Sequence, residues 1–445
     1  MTALPDTPPF TLRARLLSPL ADGGWLDELD GRLDVDATGR IASVGPWSGE
    51  EGAAALDVRP LVVMPGLVDL HAHLPQLPNA GLGSGLDLLT WLDRYIFPLE
   101  RDFDRSVAEV GAPNAWRAFA AAGTTTVVAY AAVWEDSTDA AFAAAEAHGI
   151  RAVIGKVMMD RGTYDRDIDP AEILETSLRQ SDELAARWHG RDDGRLRYAF
   201  TPRFAVSCTA DMLRESATLA KRHDAYWQTH LSEDGGEIRE VRRLFPHAHD
   251  YLHVYDEAGG LGARTILAHA IHLSDDEVRR LVASGSRVAH CPASNLFLSS
   301  GMMPLAEYRA AGMLVGLGSD VAAGPEVSIF SAMRAGAATQ RALELTKRAD
   351  PDGALRPLDW LRMGSLGGAV ALGQEDRIGS LEAGKEADLI AIDPRFTTPL
   401  PGDHLPEPAE DVASRLIFRP HPNMVRAAWV RGRLLGGPPG LDAIG

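Results

Sequence analysis

Eight short apolar runs of β type, each followed by a helix-like stretch, fill the middle of the chain: residues 62–70, 125–130, 152–157, 198–201, 225–229, 265–268, 287–289 and 314–317. Such alternation argues for parallel strands, because a parallel pair needs a long crossover that a helix supplies. Eight units predict an α/β fold, a (β/α)8 TIM-like barrel. An open doubly wound sheet is the competing architecture, but no G-x-G-x-x-G follows the first run. Helices are expected over 113–122, where Pro113 suits a first helical position, and over 275–284.

The two ends have another texture. Short alternating segments beginning at Thr11, Gly31 and Gly39 read as antiparallel strands, and similar segments return at Ala387 and Met424. Both termini are therefore expected to build one small composite β-sandwich domain. The division predicted is 1–63 and 376–445 for that domain and 64–375 for the barrel.

In a barrel of this kind the reactive groups stand at the C-terminal ends of the strands. The first run ends in His71-Ala-His73, and alternate side chains of an extended strand share a face, so both imidazoles point the same way. The fourth run leads into Arg203 and Phe204, the fifth into His230 and Glu233, the sixth into His269, the seventh into His290 and the eighth into Asp320. One histidine at a strand end is an ordinary core residue; a series at successive strand ends makes a site. His71, His73, His230 and Asp320 supply three imidazoles and a carboxylate, which suits Zn2+ or Fe2+ with room left for water. Such an ion lowers the pKa of its water to about 7. Glu233, three residues after His230, is near the metal without being on it, as a proton shuttle requires; a solvated loop acid is the other reading.

Composition narrows the partners. Lys+Arg 44 against Asp+Glu 62 leaves a net charge of −18, which disfavours nucleic acid and anionic membrane. Cys208 and Cys291 form neither a disulfide framework nor a C-x-x-C pair, so a structural zinc ribbon is excluded. No apolar run is long enough to span a bilayer, and residues 1–9 lack the basic start and apolar core of a signal peptide, so a cytoplasmic protein is expected.

The segment Pro65-Gly66-Leu-Val-Asp69-Leu-His71-Ala-His73 resembles the opening signature of the amidohydrolase superfamily, and Gly379-Ser-Leu-Glu-Ala-Gly384-Lys-Glu-Ala-Asp388 its return into the small β domain. Within the superfamily the chain resembles the guanine deaminases. This likeness rests on His73-Leu-Pro-Gln76, the stretch Trp91 to Pro98, Thr201-Pro-Arg203-Phe204, Gln228-Thr-His230-Leu-Ser-Glu233, His290 to Gly301 and Gly316 to Val321. The resemblance implies hydrolytic deamination of guanine to xanthine and ammonia by a metal-activated water. It further implies one Zn2+ per chain on His71, His73, His230 and Asp320, with Fe2+ possible, and catalytic roles for Glu233, Asp320 and His269. Gln76, Arg203 and Phe204 would bind a small-molecule purine, and the chain would be a homodimer.

Lys156 stands at a strand end but belongs to a stretch in which the resemblance implies one metal, so no second ion is expected. His290 is expected behind the ligands, and His247, His249 and His253 at the surface. The segments Asp320-Val-Ala-Ala323-Gly324 and 77–85 depart from the family pattern and would both face the substrate. A pterin, 8-oxopurine or triazine aminohydrolase is therefore the nearest rival, and a non-catalytic structural protein of the same fold a more distant one.

Overall fold

The first long apolar run belongs to two different sheets. The computed structural model, which describes residues 4–49, 55–162, 169–347, 354–398 and 407–436, breaks it at Gly66. Before the break lie β1 (Phe10–Pro19), β2 (Trp25–Val35), β3 (Ile41–Pro46) and β4 (Leu56–Pro65). After it come β5 (Leu67–His73), β6 (Thr124–Tyr130), β7 (Arg151–Gly155), the short β8 (Val157–Met158) and β9 (Leu196–Pro202). The series continues with β10 (Tyr226–Leu231), β11 (Thr265–His269), β12 (Arg287–His290) and β13 (Leu314–Leu317). The last strands are β14 (Leu389–Ile392), β15 (Val425–Val430) and β16 (Arg433–Leu434).

Strands β5, β6, β7 and β9 to β13 pair in parallel in chain order, the eight-strand barrel expected, with β8 as a short extra pair on β9. At the C-terminal end the ring is tied by backbone bonds from Asp320 N to His71 O (2.8 Å) and from His73 N to Val321 O (3.1 Å). Alternate residues divide between two clusters. Val127 and Ala129 pack with Trp116, Phe119 and Phe142 of the surrounding helices, whereas Val128 packs with Val68, Val153, Ala199 and Ile266 inside the ring. The remaining strands form one seven-stranded sheet in the order β16-β15-β14-β4-β1-β2-β3. The termini meet where β4 and β14 pair, so the composite β unit expected from both ends is present.

Two local expectations are corrected. The run 62–70 is not one strand: Gly66 N donates to Asp388 O in the terminal sheet, while Leu67 N donates to Gly123 O in the barrel. A Cβ on Gly66 would lie 2.0 Å from Thr125 Oγ1, so only glycine allows this crossing between sheets. The helix expected over 113–122 begins earlier, spanning Arg105–Ala121, because Asp104 caps it by accepting from Val107 N at 3.0 Å; Pro113 lies inside it. The second helix, Asp275–Ser284, has the expected bounds and opens with a Ser274–Glu277 capping box. No helix among the described residues is long and apolar enough to cross a membrane.

Candidate functional site

The ends of β5, β10, β11 and β13 bring their polar residues to one point. His71 Nε2 and His73 Nε2 lie 3.3 Å apart, and Asp320 Oδ1 stands 3.2 Å from the first and 3.3 Å from the second. The donor atoms of His71, His73 and Asp320 lie within 4.8 Å of one another, and so do those of His71, His230 and His269. His230 Nδ1 bonds the Arg203 carbonyl at 2.6 Å, which leaves Nε2 as the free ring nitrogen. His269 Nδ1 bonds Asn295 Oδ1 at 2.9 Å, while its Nε2 sits 3.3 Å from Glu233 Oε2 and 3.7 Å from Asp320 Oδ2.

Backbone geometry serves this convergence. Asp69, buried at the start of the signature, accepts from His71 N (3.1 Å) and Ser319 N (3.0 Å), tying the segments that carry His71 and Asp320 together. Burial pushes the Asp69 carboxyl up to about 6. Ser232, His269 and Asp320 have φ of 47°, 70° and 49°, a left-handed conformation uncommon outside glycine. Such strained residues collect where function needs a side chain aimed.

Burial holds the imidazoles neutral, bringing His71 down, His73 down to about 3 and His230 well below its usual value. Desolvation would raise the Asp320 carboxyl, but the attraction and hydrogen bond of His71, the hydrogen bond from His73 and the pull of His269 outweigh it and hold the carboxyl well below its usual range. Neutral imidazoles and a carboxylate are the ligating forms. The buried His269 Nε2 has no hydrogen-bond partner, and the nitrogens of His71 and His73 face one another with an anion beside them. This donor set fits a divalent cation.

Beside it lies a pocket of about 340 Å³, lined by His73, Gln76, Leu88, Trp91, Leu92, Arg203, Phe204, His230, Glu233, His269, Leu298, Asp320 and Ala323. Every site residue anticipated from the sequence is therefore here except His71, which stands just behind His73. Glu233 is buried and accepts from Ser300 Oγ at 3.3 Å; burial, and then the charge of Asp320, raise its carboxyl well above the usual range. Phe204 presents its ring edge-on to His230, 6.2 Å away between centroids. The solvated-acid reading of Glu233 does not survive its burial.

Lys156 is turned away, bonded to Ser177 Oγ at 3.0 Å on the helix Pro170–Trp188. His290 is buried and lies outside the pocket lining, whereas His247 and His249 are exposed. Of the two departing segments, Ala323 lines the pocket, and Gly324 closes its turn with a bond to Asp320 O at 2.6 Å. Glu100 and Leu88 carry no motif that points to the site, and only the fold brings them there, whereas Leu298 and Ser300 lie in the stretch His290 to Gly301.

The chain matches the Amidohydrolase family over residues 62–435. Guanine deaminase of Mus musculus is 34% identical over 375 residues, which cover 83% of this chain and 82% of the mouse one. A solved guanine deaminase from C. acetobutylicum with guanine bound in the active site superposes with a TM-score of 0.86 at 27% identity, covering 96% of this chain and 99% of that one. A solved adenosine deaminase from Xanthomonas campestris with bound zinc gives a TM-score of 0.80 at 27% identity, covering 99% and 96%.

Proposed function

This chain belongs to the amidohydrolase family, and from that premise we propose that it deaminates guanine by hydrolysis, yielding xanthine and ammonia. It is a hydrolase of C–N bonds. The observation that carries the reading is a single buried pocket in which a neutral-histidine ligand set, a raised carboxyl and the Arg203–Gln76 pair all face one space. The similarity to guanine deaminases, one of them with guanine bound, supports the choice of base.

His71, His73, His230 and Asp320 would hold one divalent ion, Zn2+ by this reading, which supplies a water acidic enough to lose a proton near neutral pH. Asp320, anionic among imidazoles, takes one proton from the attacking water as the water oxygen bonds to C2. Glu233, protonated in its buried setting, gives its proton to the adjacent ring nitrogen N3. His269, 3.3 Å from Glu233 and 3.7 Å from Asp320, orients the attacking oxygen between them. As the C2–N bond breaks, the amine leaves with the proton held by Asp320. The remaining hydroxyl proton returns to Glu233 as the new carbonyl forms. The sum is guanine plus water to xanthine plus ammonia, with both acids restored. Arg203 and Gln76 take the carbonyl and ring edge of the base, and Phe204 frames it.

The test is ammonia release from guanine by the zinc-loaded protein, with adenine, 8-oxoguanine, pterin and isoxanthopterin in parallel. Guanine is expected to be the preferred substrate; turnover of another heterocycle in its place overturns the base assignment. The family resemblance also supports a homodimer, whose mass sedimentation would read.

A further inference from the structure

Glu100 enters none of these proton transfers, yet it is fully buried and touches both residues assigned to the base. It sits on the short helix Phe97–Arg101 between β5 and β6. One carboxylate oxygen accepts from Gln76 Nε2 at 2.7 Å, and the other accepts from Arg203 Nη1 in a short ion pair. Phe97, one turn earlier, packs against the same guanidinium, 5.4 Å from its ring centroid.

These bonds fix the polarity of the pocket. Only the nitrogen of a glutamine amide can donate to a carboxylate, so the Glu100 bond decides which way round Gln76 sits. Its Oε1 is turned the other way, where one lone pair accepts from Ala322 N at 3.5 Å, on the loop whose next residue lines the pocket, and the second lone pair is left over. Gln76 thus offers an acceptor. Arg203 has five N–H donors and no acceptor, and Glu100 engages one end of the fork, leaving donors for a ligand. Charge adds a second constraint. A buried guanidinium without a counterion would draw an anion into the pocket; with Glu100 against it, the pair favours a neutral ligand.

We propose that Glu100 is a positioning residue that sets this pocket for the neutral lactam edge of a heterocycle. The ring carbonyl accepts from Arg203, and the adjacent ring N–H donates to Gln76 Oε1. This rests on the assignment of Arg203 and Gln76 to the substrate made above. An aminopyrimidine edge such as that of adenine reverses both roles, setting an amine against the Arg203 donors and a bare ring nitrogen against the Gln76 oxygen. Both mismatches leave buried polar groups unpaired, the strongest form of rejection a hydrogen-bonding site has.

The experiment is calorimetric binding to the zinc-loaded full chain and to Glu100→Gln and Glu100→Asp. The probes are hypoxanthine, a lactam without the 2-amine, then adenine, and urate as an anion at pH 7.5. The wild type is expected to prefer hypoxanthine over adenine by about 100-fold and to bind urate weakly. Glu100→Gln lowers that preference by about 10-fold or more and tightens urate by about 10-fold, because Arg203 loses its counterion. Glu100→Asp keeps the charge but is too short to span both partners, so it lowers the preference without tightening urate. An unchanged preference and unchanged urate binding in folded, zinc-loaded Glu100→Gln overturn the proposal. An equal loss of hypoxanthine and adenine binding, which a collapsed pocket would give, also overturns it. If Glu100→Gln fails to fold, Glu100→Asp decides: an unchanged preference refutes the positioning role. Guanine turnover by the wild type separates the two readings. Turnover with an unchanged preference in the variants removes the role of Glu100 and keeps the deaminase. A shifted preference in a protein that leaves guanine untouched keeps Glu100 and removes the deaminase.

Discussion

Each imidazole at the head of the pocket is set by what its other nitrogen or its backbone touches. The Arg203 carbonyl holds His230 at 2.6 Å, so one residue orients a proposed metal ligand through its main chain and faces the pocket with its side chain. Glu233 differs from the ligands in kind: it is buried, raised well above the usual carboxyl range and bonded only weakly to Ser300. Glu233→Gln keeps the shape and removes the proposed proton carrier, so kcat should fall by about 10³-fold while zinc content stays at one per chain. Near-normal turnover in that variant would remove Glu233 from the chemistry. His71→Ala should lose metal and activity together, read by metal analysis after dialysis. The convergence of His71, His73, His230 and Asp320 was legible in the sequence because the barrel rule sends strand ends to one place, and all four sit at or just past strand ends. Glu100 was not, because it is 24 residues from Gln76 and 103 from Arg203, and no spacing rule links positions that only the folded chain brings together.

At the scale of elements, the site depends on how closely β5 and β13 approach. A Cβ on Gly318, just past β13, would lie 2.8 Å from His71 Cβ and 2.9 Å from Cys291 Sγ. Gly318→Ala must push these segments apart, at a cost of about 1–3 kcal/mol for overpacking. His71 and Asp320 would separate with them, and we expect zinc affinity, measured by chelator competition, to fall about 10- to 100-fold. Unchanged affinity and melting temperature would mean that the ring end yields without disturbing its ligands. The run 62–70 is apolar but for Asp69 because the last half of β4, from Leu61, and all of β5 are buried, and continuous burial hides the point where the chain changes sheets. Gly66 carried that information through the approach of Thr125, a contact between residues far apart in sequence. The helix Arg105–Ala121 hides its start for the opposite reason: Pro113 has the chemistry of a first helical position, whereas Asp104 is the cap.

The barrel and the terminal sheet are joined by a buried charge network, and acid should act on the whole molecule through it. Arg151 opens β7 and is fully buried; its Nε donates to Asp388 Oδ2 at 2.9 Å, and its guanidinium also pairs with Glu386. Arg431 and Arg377 each reach Glu386 at 2.8 Å, and Arg431 N donates to Asp388 at 3.0 Å. Burial alone would raise Glu386, but the charge of Arg151 and the bonds from Arg431 and Arg377 outweigh it and bring the carboxyl from 4.5 down to about 2. A carboxyl held lower in the folded state than in the unfolded one stabilises the fold above its unfolded value and loses that contribution as pH falls through the folded one. The window is therefore pH 4.5 to 2, and the contribution lost across it is at most about 3 kcal/mol. Removing one partner of a buried pair leaves uncompensated charge, so Arg151→Met should cost about 3–5 kcal/mol at pH 7. It should also flatten the acid dependence, because the Glu386 carboxyl would no longer be held so low. Urea unfolding of the metal-free protein at several pH values between 7 and 2 reads both effects without interference from metal release. A parallel acid dependence in wild type and Arg151→Met would show that Arg377 and Arg431 hold Glu386 by themselves, and would move the joint between barrel and sheet from Arg151 to the two surface-side arginines.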